Sequence, residues 1–205
     1  MTLKKVQTVT IIIFIFFFCN SADLTAQGKK YPFNISAWYK ALSINQSDKD
    51  IADVNLTLFY TDIGSIKTFN TGFGYTRVEN SLNGVNLNAG VTSMVGNSGG
   101  FIVSAIGNLH QGNVKGFEIG GLFNTTSKDM KGVQMAGTVN FTSGNFEGTQ
   151  MSLIANITGS DLSGAQFGNS NIVGSDLTGV QIGTTFNAVS NTLSGLQIAP
   201  GNIAG

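Results

Sequence analysis

Residues 159–183 read G-S-D-L-S-G-A-Q-F-G-N-S-N-I-V-G-S-D-L-T-G-V-Q-I-G. Leu162, Phe167, Ile172, Leu177 and Ile182 fall five apart. That spacing is neither the helical period of 3.6 nor the strand period of 2. An apolar residue at every fifth or sixth position, followed by Gly, Ser or Thr, describes short strands separated by corners.

Outward from this stretch, a glycine opening in most units an apolar–polar–apolar triplet recurs at Gly84, Gly100, Gly116, Gly132, Gly148, Gly164, Gly179 and Gly195. The interval is 16 residues throughout, except for 15 between Gly164 and Gly179. The clearest units are G-V-Q-M-A at 132, G-T-Q-M-S at 148, G-A-Q-F-G at 164, G-V-Q-I-G at 179 and G-L-Q-I-A at 195. A fixed period of this kind is the signature of a repeat architecture.

The pattern predicts an all-β chain: a parallel β-solenoid with three short faces and about 16 residues per turn, preceded by a few capping strands. Strands of successive turns would lie about 4.8 Å apart. Apolar positions step from Met135 to Phe141, Phe146 and Met151, which predicts corners that reset the in–out alternation. The expected inward stacks are Leu87 to Ile198 through Met135, Met151 and Phe167, then Leu109 to Ile203 through Phe141 and Ile157, then Val114 to Leu193 through Met130, Phe146 and Leu162. The glycines fall where the chain bends and φ can turn positive.

Two polar rows run through the repeats: Asn108, Asn124, Asn140, Asn156, Asn171 and Asn187, and Gln134, Gln150, Gln166, Gln181 and Gln197. Stacked amides hydrogen-bond along such an axis. They are read as structural ladders on the surface, with a ligand-binding surface as the second reading.

The pentads S-D-L-S-G, A-Q-F-G-N, S-N-I-V-G and S-D-L-T-G resemble pentapeptide repeats, whose coils are right-handed parallel β-helices; this likeness covers about 25 residues. From 84 to 205 the chain also resembles bacterial envelope surface-repeat proteins with tandem G-V-Q-I-G-L-I-N units. That resemblance implies location and architecture and carries no defined activity.

Lys4 and Lys5 precede the apolar run Ile11–Phe18, and Leu24-Thr25-Ala26 precedes Gln27. This reads as a signal peptide over 1–26, followed by an N-terminal aromatic β cap over 27–83 and the repeat over 84–205. The expected location is exported: periplasm, outer membrane or cell surface. Cys19, the single cysteine, would anchor the chain if lipidated, although Phe18 before it is not the small residue such signals want. Without Cys19 no disulfide or thiolate metal site is available.

The 11 basic and 11 acidic residues balance, which argues against a nucleic-acid partner. No cofactor, metal site or catalytic residue is expected. His110, the single histidine, is placed at a solvent-facing corner. Asp129, Asp161 and Asp176 recur at equivalent positions with Asn97, Asn113 and Asn145, and are read as polar strand centres facing water rather than as a calcium row. Thr126, Thr142 and Thr158 align as in flat ice-binding arrays, but Val173 and Val189 end the row.

The function expected from sequence is a non-enzymatic repeat protein acting as a scaffold or binding surface for an unknown protein or glycan, with self-association possible through an open C-terminal end. The alternative is an outer-membrane β-barrel. A membrane strand needs about 9–11 residues of continuous alternation, whereas the triplets here alternate over three. Membrane association is expected only through lipidated Cys19 or through that barrel.

Overall fold

A computed structural model describes residues 29–38 and 50–205. The expected signal segment, Cys19 and residues 27–28 and 39–49 of the expected cap lie outside the described residues.

Among these residues the chain forms 17 strands joined in one sheet, and all pairings are parallel. The result is a parallel β-solenoid of about 9 turns with roughly 16 residues per turn. Outer-membrane barrels close through antiparallel strands, so the barrel alternative is not the arrangement found.

One turn serves for all. Met130–Ala136 is a strand bent at Gly132, and Val139–Thr142 is a second, shorter strand. They make a short face (130–131), a Gln face (133–136) and an Asn face (139–142). Gly132 pairs in register with Gly116 below and Gly148 above. The eight repeat glycines have φ between +90° and +152°, the region that side chains rarely adopt. A Cβ on Gly148 would also sit 1.9 Å from the carbonyl oxygen of Gly132. The glycine row is therefore required twice over, by the bend and by the close stacking of one turn on the next. Seven of these glycines lie inside strands, and Gly84 falls between Tyr75–Leu82 and Val85–Asn88.

The coil begins before the 16-residue repeat does. Lys30–Trp38 lies parallel on Ile51–Gly72, and Ile51–Gly72 on Tyr75–Leu82. Phe69 then pairs with Val85 in the 16-residue register.

The interior differs from the expectation on two faces of three. The short-face stack is inward as expected: Val114, Met130, Phe146, Leu162 and Leu177 are at most 2% exposed, with Leu193 packed against them. Each such burial contributes about 1.5–3 kcal/mol. The other two expected stacks point outward, as Met135 (36% exposed), Phe141 (38%), Phe167 (37%) and Ile203 (57%) show. Inside, in their place, are Gln134 and Asn140, both fully buried.

The physical reason is parity. The corners do not reset the alternation: Met130, Gln134, Asn140 and Thr142 all point inward, and Lys131, Met135 and Phe141 point outward. Sixteen is even, so ordinary strand alternation runs through the whole turn and repeats in the next. The steps from Met135 to Phe141 to Phe146 join two outward residues to an inward one. In the 15-residue turn the missing residue is absorbed by a register shift between Gly168 and Ser170.

Candidate functional site

The polar rows are the organising feature of the interior. Asn108, Asn124, Asn140, Asn156, Asn171 and Asn187 are 0% exposed, as are Gln134, Gln150, Gln166 and Gln181; only Gln197 is half-buried. The surface ladders expected from sequence are thus core ladders. A buried amide is costly unless each of its groups is paired, and here the stacking provides the partners.

In the Asn row each Nδ2 donates to Oδ1 of the next turn: Asn108 to Asn124 at 2.8 Å, Asn140 to Asn156 at 2.9 Å, Asn171 to Asn187 at 2.8 Å. The same nitrogen donates to a main-chain carbonyl at the end of the next Gln face. Asn124 reaches Met135 O at 2.6 Å, Asn140 reaches Met151 O at 2.7 Å and Asn156 reaches Phe167 O at 2.8 Å. The row therefore clasps the corner between the Gln and Asn faces from inside.

The Gln row runs the other way. Gln150 Nε2 donates back to Gln134 Oε1 at 2.9 Å, Gln166 to Gln150 at 2.7 Å and Gln181 to Gln166 at 2.8 Å. Thr158 Oγ1 donates to Gln150 Oε1 at 3.0 Å. Thr126, Thr142 and Thr158 are fully buried, so the threonine row is not an ice-binding array. Val173 and Val189 continue it inside the core.

Towards the N-terminus the Gln column ends at Glu118, whose Oε2 accepts from Gln134 Nε2 at 2.9 Å. The next residue down that column is Ile102, and below it lie Asn86, Asn70, Asn55 and Asn34. These four make an earlier ladder, from Asn34 to Asn55 at 2.5 Å, Asn55 to Asn70 at 2.5 Å, and Asn70 to Asn86. A carboxylate suits the terminus at Glu118 because it only accepts; an amide there would turn a donor towards Ile102.

His110 is beside it. The expected solvent-facing corner is corrected: His110 sits in the threonine column, 2% exposed, because the parity of that column is inward. Its Nδ1 is 3.0 Å from Ser98 Oγ, and its Nε2 is 3.1 Å from Glu118 Oε1. The second contact is close but not aligned as a hydrogen bond. Serine, imidazole and carboxylate in a line is the order of an acyl-transfer triad. Here both ionisable side chains are fully enclosed and Ser98 is 6% exposed, so no substrate reaches them in this structure. The 16-residue alignment of His110 with Thr126 and Thr142 was the sequence signal for this placement.

The Asp and Asn row lies at the corner entering the short face, not at strand centres. Each exposed side chain accepts the backbone N–H of its equivalent one turn on. Asn145 N donates to Asp129 Oδ1 at 2.8 Å, Asp161 N to Asn145 Oδ1 at 3.2 Å and Asp176 N to Asp161 Oδ1 at 3.1 Å. Hydrogen bonding from the Ser175 side chain, and then from the Asp176 backbone, holds the Asp161 carboxyl below its ordinary value. On the short face Lys131 Nζ meets Glu147 Oε1 at 2.6 Å in an exposed ion pair. Among the described residues no group of three or more His, Cys, Asp or Glu side chains is placed to hold a metal ion.

The geometry defines a β-solenoid with amide-filled walls, and comparison with known proteins agrees in class. The family described as Pentapeptide repeats (8 copies) matches residues 155–183, the segment containing the 15-residue turn. No curated protein and no solved structure matches the chain.

Proposed function

We propose that this chain is a non-enzymatic scaffold of the bacterial envelope, a rod whose outer faces present a binding surface to a protein or glycan. The observation that carries the reading is the use made of the polar side chains. The buried amides of the repeat are consumed in holding one turn to the next, and the corner carboxylates bond to backbone N–H groups. Pentapeptide-repeat similarity over 155–183 supports the same class, and the sequence pattern of residues 1–26 supports export.

The test has two arms. The purified protein is assayed against panels of ester, peptide and glycoside substrates, with His110→Gln as the comparator. No turnover above background is expected; turnover abolished in the variant would sink the scaffold reading. For location, expression of the chain from Met1 with cell fractionation and N-terminal sequencing is expected to give an exported chain beginning at Gln27. An intact chain retained in the cytoplasm would refute the envelope assignment.

A further inference from the structure

The outer surface is divided in a way that the scaffold reading does not use. From Val85 onward, the only ionisable side chains in residues 85–94, 101–110, 117–126, 133–142, 149–158, 165–173, 180–189 and 196–204 are His110 and Glu118, and both point inward. These ranges are the Gln and Asn faces and the corner between them. The remaining charged residues after Glu79 are Lys115, Lys128, Asp129, Lys131, Glu147, Asp161 and Asp176. All lie on the short face or at the corner leading into it. The corner between the two uncharged faces is an uncharged ridge whose middle turns are apolar, with Ile106 43%, Leu122 51%, Leu153 77% and Ile154 55% exposed, flanked by outward Phe117, Met135 and Phe141.

Exposed apolar patches beyond a few hundred Å² mark interaction surfaces. The backbone indicates what this one meets. Burial in hydrocarbon requires that main-chain N–H and C=O groups be satisfied internally. Along the ridge, amides pair with the turn below: Leu122 N with Ile106 O at 2.8 Å, Thr138 N with Leu122 O at 2.8 Å, Ile154 N with Thr138 O at 3.0 Å and Ser170 N with Ile154 O at 2.9 Å. Carbonyls at the end of the Gln face are met from inside by the Asn row. The ridge is thus uncharged throughout, apolar at Ile106, Leu122, Leu153 and Ile154 and hydroxyl- or amide-bearing at Thr138, Asn169, Thr184 and Thr185, and the four amides named are paired within the protein.

Its shape selects the occupant. One second copy packed face to face covers one of two faces meeting at a convex ridge, whereas a fluid apolar phase covers both at once. Four residues per face at about 3.3 Å give an edge of roughly 13 Å and a wedge roughly 10 Å deep. That matches the roughly 5–10 Å to which interfacial elements enter the headgroup and acyl boundary. The geometry points to a lipid bilayer as the partner of this ridge: the solenoid lies in the membrane surface with the Gln–Asn corner inserted and the charged short face in water. This mode needs neither acylation nor a barrel.

The test is flotation of the purified full chain with phosphatidylcholine vesicles, comparing wild type with Leu153→Asp/Ile154→Asp on the ridge and Ser163→Asp/Thr178→Asp on the short face. All substituted positions are solvent-exposed, Ser163 and Thr178 each following a buried leucine of the short-face stack, and circular dichroism checks that the fold is kept. Wild type and the short-face variant are expected to float, with the ridge variant losing at least tenfold in partition. Because all three share the same N-terminus, equal flotation of the ridge variant would assign binding elsewhere and overturn the proposal. Failure of wild type to float would overturn it too, as would a dimer in light scattering that the ridge variant dissociates without vesicles. Should the ridge variant misfold, Leu122→Lys alone gives the same reading from one substitution.

Discussion

At the scale of the residue, Asn140 shows how much one side chain holds. Its amide donates to Asn156 Oδ1 and Met151 O and accepts from Asn124, all in the dry interior. Asn140→Leu takes the amide donor from Asn156 Oδ1 and from Met151 O and leaves Asn124 Nδ2 with Met135 O alone, and such losses cost about 1–3 kcal/mol each where the group stays buried. We expect a destabilisation of roughly 3–5 kcal/mol by urea unfolding, near the upper end for point changes. Phe141→Ser, one residue along and outward, should cost about 1 kcal/mol or less. Equal effects would contradict the inside-out arrangement. Asp161 makes a prediction in pH. Its carboxyl is held below its ordinary value by Ser175 and the Asp176 N–H. Its contribution to stability is therefore complete above the unfolded value, near about 3.9, and is lost as pH falls through the lower folded value. Asp161→Asn keeps the acceptor, as Asn145 does one turn earlier, and should flatten that part of the acid melting profile while leaving neutral melting unchanged.

At the scale of the element, the unit is the turn, and it was legible. The spacing from Gly132 to Gly148 specified the period, the parallel pairing and the bend, because a stacked glycine admits no substitute there. Orientation was not legible. The rule that apolar side chains face inward placed Met135 and Phe141 in the core, yet alternation alone cannot distinguish the two sides of a strand. What decides it is the ladder, a property of neighbouring turns: Gln134 is satisfied only when Gln150 and Glu118 are on its own side. The contact of His110 with Glu118 was hidden by the same inversion. Since each turn contacts only its neighbours, stability is a sum over turns. Deleting residues 132–147 joins Lys131 to Gly148 in unchanged register and should give a folded rod shorter by about 4.8 Å in X-ray scattering. Deleting 132–139 mismatches the columns and should abolish the cooperative β transition in circular dichroism.

At the scale of the whole molecule, two apolar clusters divide the core. One runs from Ala52 to Ile102 and the other from Val114 to Val189. Ser98, His110 and Glu118 lie where they meet, and there the Asn ladder of one column gives way to the Gln ladder. Glu118→Leu would leave Gln134 Nε2 with only the longer bond to Thr126 Oγ1 at 3.4 Å and His110 without its carboxylate neighbour. A loss of about 3 kcal/mol or more is expected, as for breaking a buried polar pair from one side. The double variant His110→Leu/Glu118→Leu should recover part of it, since replacing both members by packed hydrophobes is often near neutral and Ile102 already occupies the adjoining level. Additive losses in the two single variants and the double would show that the pair is not coupled.

The opposite sense of the two amide rows has a consequence for growth. From Gln134 onward Asn donors face later turns and Gln donors face earlier ones, so each turn of that part adds two side-chain dipoles that nearly cancel along the axis. An α-helix accumulates partial charge at its ends because its peptide dipoles share one direction. This two-row part of the coil accumulates little, and a gene that gains or loses 16-residue units there changes the length of the rod without electrifying its tips.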